Sequence, residues 1–192
     1  MKRLRTPLGA SLLLLTLAVG PLQATNREEK TLALATDTVR TLAVGKMRGE
    51  SSERNGVTII NDCYNANPEA MRSMLEVLRG TPARRRIAVL GEMLELGREA
   101  GALHRDIGQF AAEQGIDALL GVRGAARFMV EGAVEAGMSD SAASFFESPE
   151  EAGNFLRNYV RPGDAVLFKG SRGVQMEKAL ERAFEMQEGT KA

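Results

Sequence analysis

Short apolar runs alternate with amphipathic helical stretches along most of this chain, and that alternation constrains the fold more than any other feature. Residues 57–60 form a β-branched run. A helical pattern over 68–78 follows, with Met71, Met74, Leu75 and Leu78 at i, i+3, i+4 and i+7. The pattern then repeats: strand 87–90 and helix 100–114, strand 118–122 and helix 125–136, strand 143–146 and helix 149–159, strand 165–168 and helix 174–184. Short strands joined through helices pair in parallel, and right-handed crossovers lay the helices on both faces. The expected fold is an α/β, open, doubly wound (Rossmann-like), mostly parallel sheet, preceded by a helical N-terminal segment that includes a stripe over 30–44. The polar stretch 45–55, "GKMRGESSERN", reads as a linker, which divides the chain into 1–45, a main domain over 46–186 and a tail over 187–192.

In such a sheet the carboxyl ends of the strands share one edge, and ligands bind there. The polar clusters all follow strands. After the first comes "NDCYNANPEAM" (61–71), with Asp62 as a carboxylate acceptor, Tyr64 as a stacking ring, and Asn65 and Asn67 as two-way hydrogen bonders. A nucleotide asks for these groups, a carboxylate for ribose hydroxyls and amides for base edges. Asn67, followed by Pro68, reads first as a helix cap. After the fifth strand "FKGSRG" places Lys169, Ser171 and Arg172 beside two glycines at a helix start, where a carboxylate or phosphate is attracted. The middle loop, "GEMLELG", carries Glu92 and Glu95. His104 lies in the next helix beside its apolar stripe and reads first as a packed or hydrogen-bonded histidine. "GVRGAA" after the third strand is a glycine-flanked turn without the dinucleotide-binding spacing.

Several functions are excluded or disfavoured. Lys plus Arg and Asp plus Glu number 25 each, so no global field favours nucleic acid or an anionic membrane. The run Arg84-Arg85-Arg86 reads as a solvated loop. One cysteine and one histidine cannot build a zinc site of the usual ligands. No P-loop pattern G-x-x-x-x-G-K-[ST] occurs, and no base–nucleophile pair of the hydrolase kind is evident.

Taken together, "NDCYNANPEAM", "AVLGEMLELG" with "LHRDIG", and "LFKGSRGVQMEKAL" resemble the C-terminal domain of the Mur ligases, in order and spacing, from about residue 46 to 184. The likeness is nearest to members that add D-alanyl-D-alanine to UDP-N-acetylmuramoyl-tripeptide in peptidoglycan synthesis. It implies that Arg48, Asp62, Tyr64, Asn65 and Asn67 face ATP, that Lys169, Ser171 and Arg172 face the incoming dipeptide, and that Glu92, Glu95 and His104 order the loops. It also implies an acyl-phosphate reaction with ATP and Mg2+, which involves a central domain bearing the P-loop. On this reading Asp62→Ala weakens nucleotide affinity without unfolding the domain.

The first 24 residues have the basic start, apolar run and small residue of a secretory signal, although Leu22 sits where a small residue is usual. Under the resemblance the same stretch reads instead as a helix of a central domain. The expectation is a cytoplasmic, truncated ligase part, inactive alone, with a separate chain as a possible source of the missing domains. The alternative is an exported, non-catalytic peptide- or nucleotide-binding module. No stable membrane span and no nucleic-acid partner are expected.

Overall fold

The computed structural model describes residues 48–185. The N-terminal helical segment, the signal-like start and the tail lie outside the described residues.

The chain runs through β1 (Glu50–Arg54), β2 (Val57–Asp62), α1 (Pro68–Gly80), β3 (Arg85–Gly91), α2 (Ala100–Glu113), β4 (Ala118–Val122), α3 (Arg127–Glu135), β5 (Ala143–Phe146), α4 (Pro149–Tyr159), β6 (Asp164–Lys169) and α5 (Glu177–Phe184). The sheet order is β1-β2-β6-β3-β4-β5. All neighbours are parallel except β1, which is antiparallel to β2. From β3 the chain moves outward through β4 to β5, then returns to insert β6 between β2 and β3. The winding therefore reverses at β3 and β6, whose carboxyl ends frame a crevice suited to ligands.

Strand alternation divides the core in two. Ile87, Val89, Val166 and Phe168 face α4 and α5, packing with Leu156, Leu180 and Phe184. Ala88, Leu90, Ala165 and Leu167 face α1, α2 and α3, packing with Met71, Leu75, Ile107 and Met129. Helices on both faces leave these strands no solvent side, so they read as near-continuous apolar runs. Two helices start on proline with a side-chain cap. Asn67 accepts from the Ala70 amide at 2.8 Å and Ser148 from the Glu151 amide at 3.2 Å.

Two expectations need correction. Residues 50–54, read as linker, form an edge strand hydrogen-bonded to β2. All five are exposed, so no apolar alternation marks them. The hairpin signal was Asn55-Gly56, both at positive φ (54° and 74°), as a two-residue primed turn requires. Arg85 is not a solvated loop residue either. It opens β3 and forks onto buried Asp164 through Nε at 3.0 Å and an Nη at 2.6 Å. Among the described residues no helix is long and apolar enough to cross a membrane.

Candidate functional site

The ends of β2 and β6 are in register, with Asp62 opposite Lys169. Two residues back on each strand, Ile60 and Leu167 point into the α1 side of the core. Pleat alternation therefore turns both charged side chains to the same side. There the Lys169 ammonium, 2% exposed, pairs with the Asp62 carboxylate, 14% exposed. It also donates to the Asn65 carbonyl at 2.9 Å. The other Asp62 oxygen accepts from the Gly49 amide at 3.1 Å. One ion pair thus joins the loops after β2 and β6 and holds the segment before β1 against them. Lys169, expected to face a dipeptide, is turned inward. Removing Asp62 would strand a buried ammonium, so the expectation that Asp62→Ala spares folding does not survive this geometry.

The other residues of the first loop divide in the same way. Tyr64 is 43% exposed, and the Arg48 guanidinium lies over its ring, 4.2 Å from the centroid. Asn65 accepts from the Ala66 amide at 2.8 Å through its side chain, and Asn67 is the α1 cap described above. Arg48 and Tyr64 therefore present an open cationic and aromatic surface, while Asn65 and Asn67 shape the backbone beneath it. Cys63 is buried, and burial, reinforced by the charge of Glu177, pushes its thiol up to about 12. It stays protonated and is not a nucleophile.

The second cluster joins the loops after β3, β4 and β6. Ser171 is buried; its hydroxyl accepts from the Leu94 amide at 2.9 Å, and its own amide donates to the Glu92 carbonyl at 3.2 Å. Glu92 accepts from the Ala125 amide at 2.9 Å. Arg123 donates to the Gly173 carbonyl at 2.9 Å. His104, fully buried, accepts at Nε2 from the Met93 amide at 2.9 Å, and its Nδ1 lies 2.6 Å from the Ala100 carbonyl. An amide can only donate, so Nδ1 carries the proton. Burial lowers the imidazole pKa, and a neutral ring is what this bonding needs. Glu95 is an exposed turn residue at φ 66°. Arg172, with 52% of its side chain exposed, pairs with Glu177. Arg123 and Glu177 belong to this cluster although sequence reasoning did not single them out. The cue for Glu177 was its place as the first acid of the last helix.

A pH prediction follows for His104. Its folded pKa lies below the 6.5 of a free histidine, so below that value the unfolded chain binds a proton that the folded chain refuses. Stability should fall as pH drops through about 6.5, by up to ~1.4 kcal/mol per unit. Urea denaturation at a series of pH values should show a shallower decline in His104→Gln, and equal slopes would contradict the buried neutral ring.

The family described as "Mur ligase, glutamate ligase domain" matches residues 47–172. A UDP-N-acetylmuramoyl-tripeptide–D-alanyl-D-alanine ligase of Mycobacterium leprae is 38% identical over 173 residues, covering 82% of this chain and 33% of that protein. The ligase of the same name in Bacillus subtilis is 29% identical over 132 residues, covering 68% of this chain and 29% of that protein. Among solved structures, a MurF ligase from Thermotoga maritima in complex with ADP superposes with a TM-score of 0.64 at 28% identity, over 79% of this chain and 36% of that one. A MurF from Acinetobacter baumannii gives 0.67 at 30% identity, over 81% and 35%. The chain thus spans about a third of the length of the relatives it matches.

Proposed function

Because the chain belongs to the Mur ligase family through its glutamate ligase domain, we propose that it is the C-terminal part of a ligase joining D-alanyl-D-alanine to UDP-N-acetylmuramoyl-tripeptide with ATP. The observation that carries this reading is the convergence of two loops on one sheet edge. The "NDCYNANP" and "KGSRG" stretches are tied together there by Asp62 and Lys169.

ATP, when bound, supplies the phosphoryl group that activates a carboxylate. The residues here fit its sugar and base side. The open Tyr64 ring and the Arg48 guanidinium offer a stacking surface, with the Asp62 carboxylate beside them. No P-loop pattern occurs in the sequence, so the triphosphate is not assigned to these residues. Among the described residues no group of three or more His, Cys, Asp or Glu could hold a metal, so magnesium is not assigned to them. The chain's own work is to bind and orient. Arg48, Asp62 and Tyr64 face the nucleotide, and Arg172 faces the dipeptide. Ser171 and Lys169 set the position of the loop that carries Arg172. Such positioning lets an amine meet an activated carboxyl without a covalent role for the protein. Phosphoryl transfer then belongs to a P-loop-bearing central domain, in the same polypeptide or a separate one. On this reading the protein works in the cytoplasm, where ATP is available, and is inactive alone.

The test is a chimera in which residues 46–185 replace the stretch they match in the Bacillus subtilis ligase. ATP-dependent formation of the UDP-linked pentapeptide is expected. Arg172→Ala in the chimera should raise the KM for D-alanyl-D-alanine more than that for ATP. A soluble chimera that forms no product would reject the assignment, and the reverse KM pattern would reassign the loop.

A further inference from the structure

Arg123 sits where almost any residue but glycine is strained. Its backbone lies at φ 69° and ψ 143°, a region that side chains with a Cβ rarely occupy. The chain fixes it there. Its amide donates to the Phe146 carbonyl at 2.9 Å, and its carbonyl accepts from the Ala126 amide at 3.1 Å. The next residue, Gly124, is also at positive φ (52°), and a Cβ there would have to displace the Glu92 carboxylate. Glycine at position 123 would make the same turn without strain.

The side chain gives the arginine a purpose. It is exposed and crosses from the end of β4 to the Gly173 carbonyl, beside Arg172. That bond uses one of five guanidinium donors, and among the described residues no carboxylate pairs with it. Arg172, in contrast, is matched by Glu177. Two guanidiniums and two carboxylates therefore gather here, with Glu177 paired to Arg172 and Glu92 held by the Ala125 amide. The Arg123 guanidinium, without a carboxylate partner among the described residues, is a planar fork suited to a two-point carboxylate contact.

We propose that Arg123 is a specificity-determining residue of the acceptor site, binding the terminal carboxylate of the incoming peptide across the loop from Arg172. This rests on the assignment of the 169–173 loop to the dipeptide. An uncharged C-terminus would then be discriminated against, because the peptide amide offers Arg123 no anion.

The test uses the full 192-residue chain, 15N-labelled. It is titrated with D-alanyl-D-alanine, with D-alanyl-D-alaninamide and, separately, with ADP. The dipeptide should move the amide signals of Arg172 and Gly173 and the side-chain Nε signal of Arg123 together. Its dissociation constant should rise about tenfold or more in Arg123→Gly, as it should for the amide on the unsubstituted chain. Arg123→Lys should fall between. Arg123→Gly should also melt a few degrees higher, because the strain is gone. Unchanged dipeptide affinity in Arg123→Gly would overturn the proposal while leaving the acceptor loop in place. So would a lower melting temperature together with weaker binding, which marks a structural staple. A response of Arg123 to ADP alone would assign it to phosphate instead. No response of the 169–173 loop to the dipeptide in the unsubstituted chain would remove the acceptor assignment as well.

Discussion

Asp62→Ala is expected to lower the folding stability of the chain by about 3–5 kcal/mol, because it leaves an ammonium buried with no counter-charge. The Lys169 side chain is 2% exposed, and its remaining partner is the Asn65 carbonyl at 2.9 Å. A single neutral carbonyl cannot offset the desolvation of a charge. Removing both charges should be far milder. Asp62→Ala combined with Lys169→Met replaces the pair with apolar volume and should recover most of the loss, since buried pairs often roughly break even against well-packed apolar groups. Urea denaturation of the single and double variants measures both terms through the shift in midpoint. Equal losses in Asp62→Ala and in the double variant would mean the ammonium reaches water and the pair is not what joins the loops. Activity lost in Asp62→Ala also cannot be ascribed to nucleotide contacts alone unless stability is measured on the same protein.

Gly108→Ala should be at least as damaging, by about 3 kcal/mol or more, for a steric reason. A Cβ on Gly108 in α2 would lie 2.6 Å from the Met129 carbonyl carbon of α3 and closer still to its oxygen. The contact is reciprocal, since a Cβ on Gly132 in α3 would lie 2.9 Å from the Arg105 carbonyl carbon of α2. Both obstacles are backbone, so relief requires the two helices to move apart. Gly101, earlier in α2, provides the control. A Cβ there meets only the Phe128 ring at an ordinary 3.4 Å. Gly101→Ala should therefore gain up to ~1 kcal/mol from helix propensity. Thermal unfolding of the two variants should move in opposite directions, and similar shifts would contradict the close α2–α3 crossing.

The parallel core was legible because its signal is local. Runs such as 87–90 and 165–168 are apolar on both faces, and each is followed by a helix with a stripe of matching period. Asn67-Pro68 likewise announced the α1 cap within two residues. What escaped the sequence depended on pairing. Residues 50–54 carry no apolar pattern because both their faces meet water, and only Asn55-Gly56 betrayed the hairpin. Asp62 and Lys169 were both visible as strand-end charges, yet they were assigned to different ligands. Their partnership exists only because β6 returns to lie beside β2 in a register that sets residue 62 against residue 169. Strand order across a sheet is a long-range property that no local window contains. Arg123 was hidden for a related reason. Its glycine-flanked turn looked ordinary, and the unusual feature is a backbone conformation held by the Phe146 carbonyl at the end of β5 and by the Ala126 amide.

On the proposed function, this sheet edge has two sides, a nucleotide side at Arg48, Asp62 and Tyr64 and an acceptor side at Arg172. An ADP titration of the 15N-labelled chain tests that division. The predicted result is saturable movement of the Arg48, Tyr64 and Asn65 amide signals, with those of Arg172 and Gly173 left in place. Movement centred on Arg172 and Gly173, or no response at the end of β2, would contradict it.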